Sequence, residues 1–83
     1  MTAPRRHLPS IPGLLALEAV GRLGTASAAA AELNLTPGAI SRALKEAEAV
    51  LGQSLLIRER QRLRLTPAAR LYVADVARAL GLL

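Results

Sequence analysis

Residues 27–51 read Ser27-Ala-Ala-Ala-Ala-Glu-Leu-Asn-Leu-Thr-Pro-Gly-Ala-Ile-Ser-Arg-Ala-Leu-Lys-Glu-Ala-Glu-Ala-Val-Leu51, two helix-forming runs separated by a short break at Asn34 and Leu35. The second run has a doubly marked start. Thr36 is suited to accept a hydrogen bond from a free N–H as an N-cap, and Pro37 supplies a helical φ at the first position while biasing Thr36 toward extended backbone. From there Ile40, Leu44, Ala47 and Leu51 recur at helical spacing and collect into one narrow apolar stripe. Gly38, Ser41, Arg42 and Lys45 fall on an arc of roughly 100° on the other side, a small, polar and cationic surface of the kind that phosphates and base edges favour.

The first run carries four consecutive alanines, Ala28 to Ala31, which favour helix and allow a neighbouring helix to come close. The spacing therefore predicts a helix-turn-helix, although Ala-rich helix pairs also occur in small helical domains of any function.

The composition narrows the classes. With 83 residues the chain suits one domain of modest stability. It has no Cys, which removes disulfides, thiol chemistry and Cys-based zinc sites and fits a reducing cytoplasm. Tyr72 is the single aromatic residue, so base stacking on aromatic platforms, the common means of holding single strands, is not expected. The net charge is +5, and its distribution is uneven: residues 58–70 hold five Arg against one Glu. A basic patch on a near-neutral body points to a polyanion, with solvated arginines as the plainer reading.

Outward from the central pair, residues 1–9 read as a flexible basic arm containing Arg5, Arg6 and the lone His7. Its paired arginines are not followed by an unbroken apolar run, which argues against an export signal or a membrane anchor. A first helix is expected from about Ile11 to Leu23, capped by Ser10 and stopped by Gly24, with Glu18, Arg22 and Leu15 as its exposed residues. Thr25 or Ser27 caps the next helix, and Gly52 ends the one after. Leu55, Leu56 and Ile57 then read as a short buried strand, and Arg62-Leu63-Arg64-Leu65 alternates as a half-buried strand should. Joined through Glu59, Arg60 and Gln61 they form a basic hairpin, or wing, with Leu63 and Leu65 inward and Arg62 and Arg64 outward. Such a hairpin suits a phosphate backbone or a minor groove, or is an edge kept soluble by charge. Leu65-Thr66-Pro67 repeats Leu35-Thr36-Pro37 and opens a last helix, whose stripe Ala69, Tyr72, Val73, Val76, Leu80 and Leu83 suggests docking on the first helix together with contact to a second copy.

The assembled pattern resembles the N-terminal winged helix-turn-helix domain of the LysR-type transcriptional regulators. The likeness rests on Leu33-Asn34-Leu35-Thr36, Gly38-Ala39-Ile40-Ser41-Arg42, Lys45 through Glu48, Leu51-Gly52, Leu55 with Arg58, Leu63-Arg64-Leu65-Thr66-Pro67 and Arg70-Leu71-Tyr72, spread over about residues 8–83. It implies a mainly helical winged helix-turn-helix in three parts: a basic arm at 1–9, the DNA-binding domain at 10–66 and a linker or dimerisation helix at 67–83. It also implies a bacterial, cytoplasmic, sequence-specific binder of double-stranded DNA that forms a homodimer through its last helix. The expected DNA-facing residues are Ser27, Thr36, Pro37, Gly38, Ser41, Arg42, Lys45, Arg58, Arg60, Arg62 and Arg64. Ala69, Tyr72, Val73, Val76, Leu80 and Leu83 are the expected dimer contacts.

The sequence departs from the family at several places. Pro37 stands where the family often has Gln, Leu17, Ala26 and Leu56 stand where Phe is usual, and the wing tip around Arg60-Gln61-Arg62 lacks glycine. Regulators of this family also carry a much larger effector-binding domain after the last helix, so no small-molecule effector is expected within these residues, and the chain reads as an excised domain or a small stand-alone protein. A protein-interaction module that pairs with a full-length regulator is the alternative. No catalytic group, cofactor or metal site is expected, because with one His, one Asp and no Cys no catalytic constellation can be assembled.

Overall fold

A computed structural model describes residues 9–81, and the predicted basic arm, apart from Pro9, lies outside the described residues, as does Leu83. The chain forms α1 (Ile11–Leu23), α2 (Ala26–Leu33), α3 (Pro37–Leu51), β1 (Leu56–Glu59), β2 (Arg62–Leu65) and α4 (Pro67–Ala79). This is a winged helix-turn-helix, with three helices followed by an antiparallel hairpin and a closing helix.

Local chemistry sets the helix ends. Ser10, Thr25, Thr36 and Thr66 all sit in extended backbone, and each side chain accepts from the N–H three residues on, at Gly13, Ala28, Ala39 and Ala69. Of the two expected caps for α2, Thr25 is the one used. Gly24 and Gly52 close α1 and α3 in the left-handed region. Asn34 does the same for α2 at φ 63, a conformation Asn tolerates better than most side chains.

Helix α1 is the hub, touching α2, α3, α4 and β2. Leu17, Val20, Ile40 and Leu55 are its largest fully enclosed neighbours and members, and the core is completed by alanines and by Leu44, Leu63, Leu65 and Val73. Each fully buried aliphatic side chain of this kind contributes about 1.5–3 kcal/mol. Leu15 and Glu18, expected in solvent, are half-buried because α1 is enclosed on more sides than its periodicity alone indicates.

Two boundaries differ from expectation. Strand β1 begins at Leu56, not Leu55, and Glu59 pairs with Arg62, so the turn is only Arg60 and Gln61. The reason is tertiary: the Leu55 carbonyl still accepts from Thr66 N at 2.9 Å, in register with the hairpin, but the Leu55 N–H is diverted to Glu48 Oε2 at 2.7 Å, which ends the ladder there while the side chain lies in the core. The last helix also ends before the chain does, at Ala79. Its inward stripe runs Ala69, Val73, Ala77 rather than turning to Val76 and Leu80.

The wing is fastened to the end of α1. The Leu63 N–H donates to the Gly24 carbonyl at 2.8 Å, and Leu65 lies against Gly21, where an added Cβ would come within 2.5 Å of its Cδ1. That contact accounts for a glycine inside a helix. Beside this contact Arg22 joins α1 to α2: it donates to Glu18 Oε2 at 2.9 Å and to Glu32 Oε1 at 3.0 Å. This pairing holds the Glu32 carboxyl below the usual carboxylate range, chiefly through the hydrogen bond from Arg22.

Two predictions follow from these contacts. Alanine at position 21 gains about 1 kcal/mol of helix propensity but displaces Leu65, and overpacking of that kind costs about 1–3 kcal/mol. Gly21→Ala should therefore lower the melting temperature in the wild-type background and raise it in a Leu65→Ala background; additive effects in the double mutant would contradict the contact. Because the folded-state pKa of Glu32 is depressed, its stabilising contribution is present above the unfolded value and is lost as pH falls through the folded one. Thermal melts between neutral and acidic pH should show a smaller loss for Glu32→Gln than for the wild type.

A candidate nucleic-acid interface on α3 and the wing

Burial of Ile40, Ala43, Leu44 and Ala47 fixes the rotation of α3. The opposite side then faces outward by helical geometry: Gly38, Arg42 and Lys45 are exposed and Ser41 is half-buried. Thr36 and Pro37 are exposed at the N-terminal rim. The Thr36 hydroxyl oxygen is occupied as a cap for the Ala39 N–H at 3.0 Å.

The hairpin presents Arg58, Arg60, Arg62 and Arg64, all exposed. They are not equivalent. Arg64 donates from Nε and Nη2 to the two oxygens of Glu59, both at 3.0 Å, along the diagonal between the strands. Among the described residues Arg58, Arg60 and Arg62 have no carboxylate within salt-bridge distance, and neither do Arg42, Lys45 and Arg70. Arg22 and Arg78 are paired, the latter with Asp75 at 3.6 Å. Uncompensated cations therefore gather on α3 and the wing, a distinction that counting charges along the sequence does not reveal.

Position within the wing matters as well. Arg58 pairs in register with Leu63 and so shares its face of the ribbon, yet remains exposed where that face runs out beyond the core. There it lines a shallow groove with Thr25, Ser27, Arg60 and Arg62. Because Thr25 does the capping, the exposed Ser27 hydroxyl is not consumed as an N-cap, and it sits beside these arginines. The guanidinium of Arg62 lies over Gly24, at the negative end of the α1 dipole. Arg60 occupies the turn at φ 58, a left-handed conformation that costs a non-glycine residue about 1–2 kcal/mol.

A second cationic recess lies between α1, β2 and the start of α4, lined by Arg22, Arg62, Arg64 and Arg70. Arg70 is not among the DNA-facing residues expected from the sequence. It falls in the basic stretch at 58–70 and in the family-like Arg70-Leu71-Tyr72, and the helical count that places it one turn into α4 could have added it to them.

The expected dimer residues are divided by the fold. Ala69 and Val73 are buried in the chain's own core, which makes them unavailable to a partner without unfolding that core, while Tyr72 and Val76 are half-buried and Leu80 is 40% exposed. Burial pushes the Tyr72 hydroxyl above its ordinary pKa. Leu71 is 73% exposed on the outer side of α4, away from these residues.

Among the described residues no group of His, Cys, Asp and Glu is placed to hold a metal ion, and no helix is long and apolar enough to cross a membrane.

Known proteins share this fold and have related sequences. Residues 12–70 match the model of the bacterial regulatory helix-turn-helix proteins of the lysR family. The transcriptional regulator LysG of Mycobacterium tuberculosis is 47% identical over 49 residues, 59% of this chain and 16% of LysG. TrpI of Pseudomonas aeruginosa is 43% identical over 61 residues, 74% of this chain and 21% of TrpI. The chain thus spans about a fifth or less of the length of these curated relatives. Among solved structures, the DNA complex of the CbnR DNA-binding domain superposes with a TM-score of 0.78 at 34% identity, covering 84% of this chain and 80% of that one. ArgP from Mycobacterium tuberculosis gives 0.78 at 38% identity over 88% of this chain and 27% of its own. From the capped helix-turn-helix through the wing to the first turn of α4, this chain belongs to the LysR family of bacterial regulatory helix-turn-helix proteins.

Proposed function

We propose that the chain is the DNA-binding unit of a bacterial cytoplasmic transcriptional regulator, seating α3 in the major groove of a duplex with the wing against the adjacent backbone and minor groove. The observation that carries this reading is the clustering of unpaired, exposed cations on one helix and one hairpin, Arg42 and Lys45 with Arg58, Arg60 and Arg62. The related CbnR structures, one of the DNA-binding domain and one of the full-length protein, were solved with DNA.

Within that reading the side chains divide the work by reach and geometry. The wing arginines and Ser27 neutralise or hydrogen-bond phosphates, which sets affinity and register without selecting sequence. Arg42, with Ser41 and Lys45, addresses base edges, where a guanidinium bonds two acceptors of guanine at once. Arg64 contributes less than its neighbours, because a phosphate would have to displace Glu59 from it. The chain works as a homodimer that places one α3 in each half-site, joined through the flank of α4 that carries Tyr72, Val76 and Leu80.

Binding to a duplex selected from a random pool, followed by fluorescence anisotropy, tests the first part. Neutralisation of about five phosphates gives a slope of log K on log salt near −4.5. Arg42→Ala should shrink the preference for the selected over a scrambled duplex by about tenfold or more, whereas Arg62→Ala should weaken both duplexes equally, and Arg64→Ala should do so to a smaller degree. A salt-independent isotherm, or identical behaviour of the Arg42 and Arg62 variants, would count against the assignment.

For the dimer, light scattering should show Leu80→Glu shifting the mass from two copies to one. The same variant should lose affinity for a two-half-site duplex while keeping that for a single half-site; an unchanged mass would dismiss α4 as the interface.

A further inference from the structure

The N-terminal rim of α3 is short of hydrogen-bonding groups, although it is the part of a recognition helix that lies deepest in a groove. Pro37, the first residue of the helix, is exposed and has no N–H. The Gly38 N–H has no hydrogen-bond partner among the described residues and is the one backbone donor left at this rim, since the Ala39 N–H is taken by the Thr36 hydroxyl and the Ile40 N–H by the Thr36 carbonyl. Gly38 adds no side chain, and the space around it is open: a Cβ built there would meet only Thr36 Oγ1, at 3.9 Å. Leu35, in the turn just before the helix, is left 45% exposed in a chain that encloses Leu17, Leu44 and Leu55 almost completely. An apolar tip therefore stands ahead of Arg42 and Lys45, which hold the flanking positive charge.

Resting on the DNA-binding reading, we propose that Pro37, backed by Leu35, is a specificity-determining residue that selects thymine by apolar contact with its C5-methyl group. The argument is one of exclusion. In the major groove guanine offers two acceptors, adenine an acceptor and a donor, and cytosine a donor; a pyrrolidine ring facing any of these strips water from it and returns no hydrogen bond. The thymine methyl is the one major-groove group that gains from such a neighbour. Open backbone at Gly38 allows the ring to come close, and the wing arginines hold the domain to the phosphates while it does so.

The experiment uses the whole chain and the duplex obtained from the random pool. Each thymine of the half-site is replaced in turn by deoxyuridine, which removes the methyl group and keeps the pairing edge. For the wild type, one position per half-site should lose about fourfold in affinity, the value of one buried methyl. For Pro37→Gln, deoxyuridine at that position should cost nothing, and a new selection should favour adenine there, since Gln bonds adenine at two points. Two results would overturn the proposal: no thymine whose methyl matters to the wild type, or an equal loss in the Pro37→Gln variant, which would assign the effect to groove shape or to another side chain. The deoxyuridine series on the wild type decides the matter even if the variant folds poorly. A pool that returns no bound duplex would instead remove the DNA-binding reading itself, and this inference with it; a selected, salt-sensitive duplex indifferent to every methyl removes this inference alone.

Discussion

The enclosure of α1 is the constraint on which the rest of this small molecule depends. Leu17 and Val20 are fully buried in the same core as Ile40, and α1 packs against α2, α3, α4 and β2. With one aromatic residue in the chain, no large side chain bridges gaps between elements, so close approach has to come from alanines and from Gly21. Once Ile40, Ala43, Leu44 and Ala47 are pinned to this hub, the rotation of α3 is no longer free. The exposure of Arg42 and Lys45 is a geometric result of the apolar stripe, and does not depend on the cations making any contact of their own.

The same hub aims the wing. A two-stranded ribbon is marginal in isolation. Here its second strand is bonded to Gly24 at the end of α1, and the loop leading into its first strand is held by Glu48 of α3. One hydrogen bond thus ties the hairpin to the helix that carries Arg42, and the other ties it to α1, against which that helix packs, so both cationic surfaces are positioned from the same hub. Glu48 contributes to this although it bears the charge opposite to that of the surface it supports.

What was legible in the sequence was whatever is decided within a few residues. The caps at Ser10, Thr36 and Thr66, the stops at Gly24 and Gly52, and the inward Leu63 and Leu65 could all be read from neighbours along the chain, because capping and alternation are local. The first residue of β1, the length of the turn and the pairing of Arg64 with Glu59 could not, since each is settled by a partner distant in sequence or across the ribbon. In α4 the periodicity gave the correct helix but an incomplete account of its faces: Ala77, too small to weigh in a reading of apolar residues, is the third inward position, Val76 sits at the flank of that stripe, and Leu80, the C-cap, is exposed past the last buried turn. The family's motifs are local signals of the same kind, whereas the sorting of cations into paired and unpaired is set by the fold.

That sorting bears on the wing tip. Arg60 is held at φ 58 where glycine would relax the turn, a strain of about 1–2 kcal/mol in a domain with little stability to spare. Glycine there would ease the backbone and remove a cation from the point of the hairpin that projects farthest from the core. Arg64, by contrast, sits in unstrained strand and has its charge matched by Glu59. The ribbon therefore keeps its neutralised arginine where the backbone is regular and an unneutralised one where the backbone is strained. If packing alone had shaped the hairpin, the strained site would favour glycine. An exposed, unpaired cation kept there instead is what a surface made to meet phosphate requires.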